Sequence, residues 1–212
     1  MMKRFLSILL AMCMMLTMLP VLAANATSEE ETVAEGVASN PYTSEGLGVT
    51  FALPDTVQVV SETAEEGSGA VVITLSQDGR EDRSYNISVT QNTDYAGYTM
   101  MDLPDEIKQQ FIDYYAEAYP GANPPAFTEL TEDMEVFEQC FSPFMAFGTG
   151  ADGNFYAIYV CVFNTFVLTV SGGIAATADD VDSDFLGTVF NLYWQSADAF
   201  YTFLDGLGMF GE

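Results

Sequence analysis

The order of apolar patterns along the chain predicts an α+β fold: an α-β-α sandwich with a central antiparallel sheet flanked by helices. Three observations carry this reading. Ile107, Phe111, Tyr114, Tyr115 and Ala118 recur at helical spacing in the middle of the chain. The run from Tyr156 to Val162 is apolar at both parities, as a central strand covered on both sides must be. A second helical stripe joins Leu186, Val189, Phe190, Tyr193, Trp194, Ala197, Phe200, Tyr201 and Leu204 near the end. One doubly buried strand and two amphipathic helices imply helices on both faces of one sheet.

The folded part is expected over residues 49–207 as a single α+β domain, long enough to bury a substantial core. Val49 to Leu53 reads as a short strand ended by Pro54-Asp55, with Val57 to Val60 as its partner. Ala70 to Ser76 and Tyr85 to Gln91 flank a polar loop holding Asp78-Gly79, the pattern of a hairpin. Tyr85, Ile87 and Val89 alternate with Asn86, Ser88 and Thr90, so one face of that strand meets the core. Asp102 is placed to cap a helix running to Tyr119, with Asp105 and Glu106 where the helix dipole favours anions. Pro120-Gly121 stops it.

Strands are expected again at Phe127 to Phe137, Gln139 to Phe147, Phe155 to Phe163 and Thr165 to Ser171, forming a meander. Its turns are Gly148 to Asn154 and Asn164-Thr165. The last helix spans Asp182 to Asp205 and is closed by Gly206 and Gly208; residues 208–212 form a tail.

Residues 1–23 read as an export signal: Lys3 and Arg4, an apolar stretch from Phe5 to Leu19, then Val21 and Ala23 as a cleavage pattern. An uncleaved N-terminal anchor is the alternative, since Phe5 to Ala24 approaches the roughly 20 residues a span needs. The expected location is secreted, with no stable membrane insertion after cleavage. Residues 24–48, polar and acidic, read as a disordered linker.

Composition narrows the function. The net charge is −26, and Lys3 and Arg4 lie in the signal, which leaves Arg80, Arg83 and Lys108 as the remaining basic side chains. Phosphate backbones need clustered Lys and Arg, so nucleic acid is excluded as a partner. There is no histidine, so Ser-His-Asp and Cys-His catalysis and histidine-built zinc sites are excluded too.

Candidate sites remain. Gly148, Gly150 and Gly153 match G-x-G-x-x-G, yet a dinucleotide loop must lead into a helix and a strand follows here, so a hairpin turn is expected. Asp180, Asp182 and Asp184 have the alternate spacing that opens a calcium loop, but Phe185 replaces its glycine and Asn191 its final glutamate. The competing reading is a set of carboxylates at the start of the last helix. Glu129, Glu132, Asp133, Glu135 and Glu138 are read as the solvent face of a strand and turn. Cys140 and Cys161 would be able to bridge if adjacent strands set them opposite one another, adding about 3 kcal/mol; two buried thiols fit equally. Tyr156, Tyr159, Tyr193, Trp194 and Tyr201 are candidates for a ligand groove between sheet and last helix, or for core.

The element order, with Phe51 and Pro54 in the opening strand, the aromatic meander, and Phe185 to Trp194 in the closing helix, resembles the PsbP-like fold. That resemblance spans about Val49 to Trp194 and implies a non-enzymatic accessory or binding role, with no functional residue carried over. The expected function is therefore a secreted, non-catalytic domain that binds an extracellular protein or small ligand. Extracellular calcium binding is the alternative, and a hydrolase using two carboxylates a further one.

Overall fold

The computed structural model describes residues 39–65, 69–121, 123–131, 134–175 and 183–209. The export signal, most of the linker, Glu132, Asp133, Asp180, Asp182 and the end of the tail lie outside them. Among the described residues the chain forms a two-stranded sheet, a seven-stranded sheet and three α-helices, with every strand pairing antiparallel. It is an α+β fold.

Strand β1 (Ser39–Thr43) pairs with β2 (Thr50–Pro54), so the region expected as linker already belongs to the fold from Ser39 onward. The expected partner of β2 is the following strand; the preceding segment takes that place instead. The polar composition that suggests disorder reflects a solvent-facing hairpin strand tied at its turn. There Ser44 accepts from the Leu47 amide and donates to Glu62, and Gly48 takes φ 69°.

The large sheet runs β3 (Val57–Glu65), β4 (Ala70–Gln77), β5 (Arg80–Gln91), β9 (Phe166–Ile174), β8 (Phe155–Phe163), β7 (Phe144–Thr149), β6 (Ala126–Phe127). The β4–β5 hairpin turns at Asp78-Gly79, with Gly79 at φ 72°. Strand β3 is longer than its apolar start suggests, and its register against β4 slips by one residue at Val60, between the pairs Val59–Leu75 and Ser61–Thr74.

Helix α1 (Asp105–Ala118) begins after Asp102, which instead closes the preceding turn by accepting from the Thr99 amide at 2.6 Å and hydroxyl at 2.8 Å. Helix α3 (Ser183–Gly206) carries the last stripe.

The long strand expected over Phe127 to Phe137 does not form. Only Ala126–Phe127 pairs with β7; Thr128 then binds the Pro143 carbonyl through both its amide and hydroxyl. A short helix α2 (Val136–Phe141) follows, started by a reciprocal capping box between Glu135 and Glu138. Those two acids therefore cap a helix rather than line a strand, and β7 starts at Phe144 rather than Gln139.

Alternation assigns the faces. Val71, Ile73, Leu75, Tyr85, Ile87, Val89, Leu168 and Val170 are buried on one side. Helix α3 and β2 cover them, with Phe185 stacked on Tyr85 at 6.0 Å. On the other side, Phe111 and Tyr115 of α1 pack on Phe144, and Tyr119 packs on Tyr156. The adjacent glycines Gly172 and Gly173 show the division. A Cβ on Gly172 would sit 2.4 Å from Val189 of α3, and one on Gly173 2.8 Å from the Tyr156 ring.

Candidate functional site: an aromatic strip beside the last helix

Between α3, α2 and β7 the rings form a continuous surface. Phe147 of β7 meets Tyr159 of β8 at 5.8 Å; Tyr159 meets Phe190 at 6.1 Å and stacks on Tyr193 at 5.5 Å. Phe190 meets Trp194 at 6.2 Å, Trp194 meets Phe137 of α2 at 6.2 Å, and Phe137 meets Tyr201 at 5.2 Å. Helical spacing explains the line. Trp194 follows Phe190 by one turn and Tyr201 follows Trp194 by two, so the three rings fall on one edge of α3.

Exposure separates floor from rim. Tyr193 is fully buried, and its hydroxyl donates to the Phe141 carbonyl, fixing α2 against α3. Tyr159 is only 5% exposed, and its hydroxyl makes no hydrogen bond with a described residue. Burial raises its pKa, so it stays a neutral phenol. Met145, Phe147, Phe137, Trp194 and Tyr201 are half-buried, and Phe190 is 46% exposed. A phenylalanine this exposed beside a half-buried tryptophan is the largest apolar feature of α3 left open to solvent.

The five groove candidates thus divide. Tyr159, Tyr193, Trp194 and Tyr201 lie together along the strip, with Tyr193 wholly in the core. Tyr156 does not join them: it faces the α1 side and donates to Asp152 at 2.7 Å. Burial and that carboxylate push its pKa up to about 12. Phe137, Met145 and Phe147 complete the strip: Phe137 lies on α2, at the end of a segment that reads as strand, whereas Met145 and Phe147 stand at alternate positions of β7, itself expected as strand.

The other candidates resolve as follows. Gly148 to Asn154 is a hairpin turn between β7 and β8, Gly153 taking φ 84°. Of the calcium candidates only Asp184 is described, and its carboxylate pairs with Arg83 at 3.1 Å and Arg80 at 3.5 Å, tying α3 to β5. Among the described residues no group of three or more His, Cys, Asp or Glu is placed to hold a metal ion. Cys140 lies on α2 rather than on a strand facing Cys161, since β7 and β8 pair Phe144 with Val160. Both cysteines are buried free thiols, Cys161 donating to the Cys140 carbonyl at 3.5 Å. Burial raises the Cys161 pKa to about 12, which suppresses its thiolate.

A separate cleft of about 210 Å³ is lined by Met100, Lys108, Phe127, Thr128, Leu130 and Ser142. Lys108 lies 5.8 Å from the Phe127 ring centre. Among the described residues this lining holds no carboxylate. Among the described residues no helix is long and apolar enough to cross a membrane.

No family model and no curated protein matches the chain. A crystal structure of a protein from Bacteroides thetaiotaomicron VPI-5482 is similar over 68% of this chain and 45% of its own length, at 11% identity and a TM-score of 0.34. The chain spans less than half of that protein.

Proposed function

We propose that this chain is an exported, non-catalytic accessory domain that binds a protein or small ligand through the aromatic strip beside α3. In this reading the helices on the two sides of the sheet make an α-β-α sandwich of the PsbP-like kind. The observation that carries it is Phe190, 46% exposed at the centre of a run of rings whose floor is the buried Tyr159. Folding alone gains little from that exposed ring, whereas burying an aromatic face on a partner gains the area it removes from water. The missing histidines and the acidic composition support a role without bond-making chemistry.

The test is uptake of Nile red, a neutral dye whose emission shifts to the blue on an apolar surface. The protein should shift the dye, and the Phe190→Ala/Trp194→Ala double variant should lose most of the effect while its melting curve stays cooperative. A dye response equal in the two proteins sinks the proposal.

A further inference from the structure

The strip has a charge environment of one sign. Asp198 follows Trp194 by four residues and precedes Tyr201 by three, and Asp205 follows Tyr201 by four, so both exposed carboxylates flank the rings on α3. Glu135 and Glu138, also exposed, cap the α2 helix that carries Phe137. The basic side chains among the described residues are elsewhere. Arg80 and Arg83 pair with Asp82 and Asp184 at the start of α3, and Lys108 of α1 lies over Phe127. At the floor, the nine-tenths buried Tyr159 keeps a hydroxyl without a described partner, and the Trp194 indole N–H has none either. Rings present a negative face, and a cation laid over that face beside carboxylates gains from both.

We propose that the strip takes a cationic, apolar-flanked peptide segment of a partner protein, with basic side chains over the Phe190, Trp194 and Tyr201 rings and their charges toward Asp198 and Asp205. This rests on the reading of the strip as a binding surface and names its partner class. The seven helical steps from Trp194 to Tyr201 span about 10 Å, which is also about the reach of three residues in a polyproline II chain, whose side chains return to one face every third residue. Basic residues three apart in the peptide therefore match the ring spacing. A second copy of this chain fits poorly, because two proteins of net charge −26 repel.

The probe is a synthetic six-residue leucine peptide with lysine at its second and fifth positions, titrated into the full chain. Trp194 is the single tryptophan, so its emission reports the strip directly. The lysine peptide should shift that emission saturably. The same peptide with glutamate should not bind, and the glutamine version should bind at least about fivefold more weakly. Raising salt from about 0.05 M to about 0.5 M should weaken the lysine peptide by about fivefold or more. Phe190→Ala and Asp198→Asn, both at exposed positions, should each weaken it by about threefold or more. Equal binding of the lysine and glutamine peptides, or no binding of the lysine peptide, overturns the partner class. So does a concentration-dependent dimer that Phe190→Ala dissolves, since a second copy would then occupy the strip. Nile red separates the two failures. If the dye still binds, only the cationic partner is lost; if it too fails to distinguish the variants, the binding surface itself is lost.

Discussion

The two faces of the seven-stranded sheet are built to different standards. On the α3 face, Ile73, Leu75, Tyr85, Ile87 and Val89 are sealed under α3 and the β1–β2 hairpin. On the opposite face, among the described residues, α1 packs its rings on the β7–β8 side. The β4–β5 half shows Val72, Thr74, Ser84, Asn86 and Ser88, all half-buried, with the Thr74 hydroxyl donating to the Asn86 side chain at 3.1 Å. One sheet thus holds strands of two kinds. Those in the β8 region are covered twice, and those in the β4–β5 region once. Stability should follow that division, and substitutions on matched positions can break it.

The largest contrast is between neighbours on β5. Ile87→Ala empties a fully covered site and should cost about 2–4 kcal/mol, while Ser88→Ala, one residue on and facing the other way, should stay within about 0.5 kcal/mol. Urea melts of the two variants measure this. Equal losses would mean that the two faces are equally packed.

Next come the paired glycines. Gly172→Ala drives a Cβ into Val189 and Phe185 and should cost about 2–3 kcal/mol by lifting α3. Gly173→Ala meets one ring edge, that of Tyr156, and should cost about 1 kcal/mol. Thermal melting of the two variants ranks them; a reversed order would place the tighter seam under α1.

A smaller effect tests the hairpin that completes the sealed face. Burial alone would raise the Glu62 pKa, but hydrogen bonds from Tyr42, the Gly46 amide and Ser44 outweigh it and hold the carboxyl below its usual value. A folded pKa below the unfolded one gives a contribution fully present above the ordinary glutamate range near about pH 4.3 and lost as pH falls through the folded value. Glu62→Gln should therefore lower stability at neutral pH and flatten the acid limb of the stability profile. An acid limb unchanged from the parent protein would remove Glu62 as its anchor.

The smallest effect is Thr169→Val. Its hydroxyl, on a residue 5% exposed under the α1 side, has no hydrogen-bond partner among the described residues. Losing that hydroxyl should be neutral or stabilising by up to about 1 kcal/mol, and a clear loss in the melt would reveal a partner such as buried water.

The same division explains what can be read in the sequence. Strict alternation from Tyr85 to Thr90 announces a strand with one covered face, and the unbroken apolar run from Tyr156 to Val162 announces two; the burial follows the first as far as Val89, Thr90 being buried as well, and the second throughout. Asp78-Gly79 and Asn164-Thr165 mark their hairpin turns. Segments without a face of their own are not legible. Ser39–Thr43 is polar because it pairs through its backbone with β2, and no side-chain period records that. Phe137 and Phe141 stand four apart, a helical spacing, but a six-residue helix is too short for that period to register, and the Glu135–Glu138 capping pair marks its start. The site is half visible for the same reason: the α3 rings have a helical period, whereas Phe137 and Phe147 come to them only through the tertiary fold.

The slip at Val60 has a consequence for the company this molecule keeps. Strand β3 ends the large sheet, and a foreign strand laid along Val57–Glu65 would find donors and acceptors in step only as far as the extra residue. Beyond it the ladder is out of phase, so an incoming chain gains one short run of bonds rather than the full length. Val60, 63% exposed, is thus a spacer that keeps an open margin from becoming a template, leaving association to side chains instead of backbone.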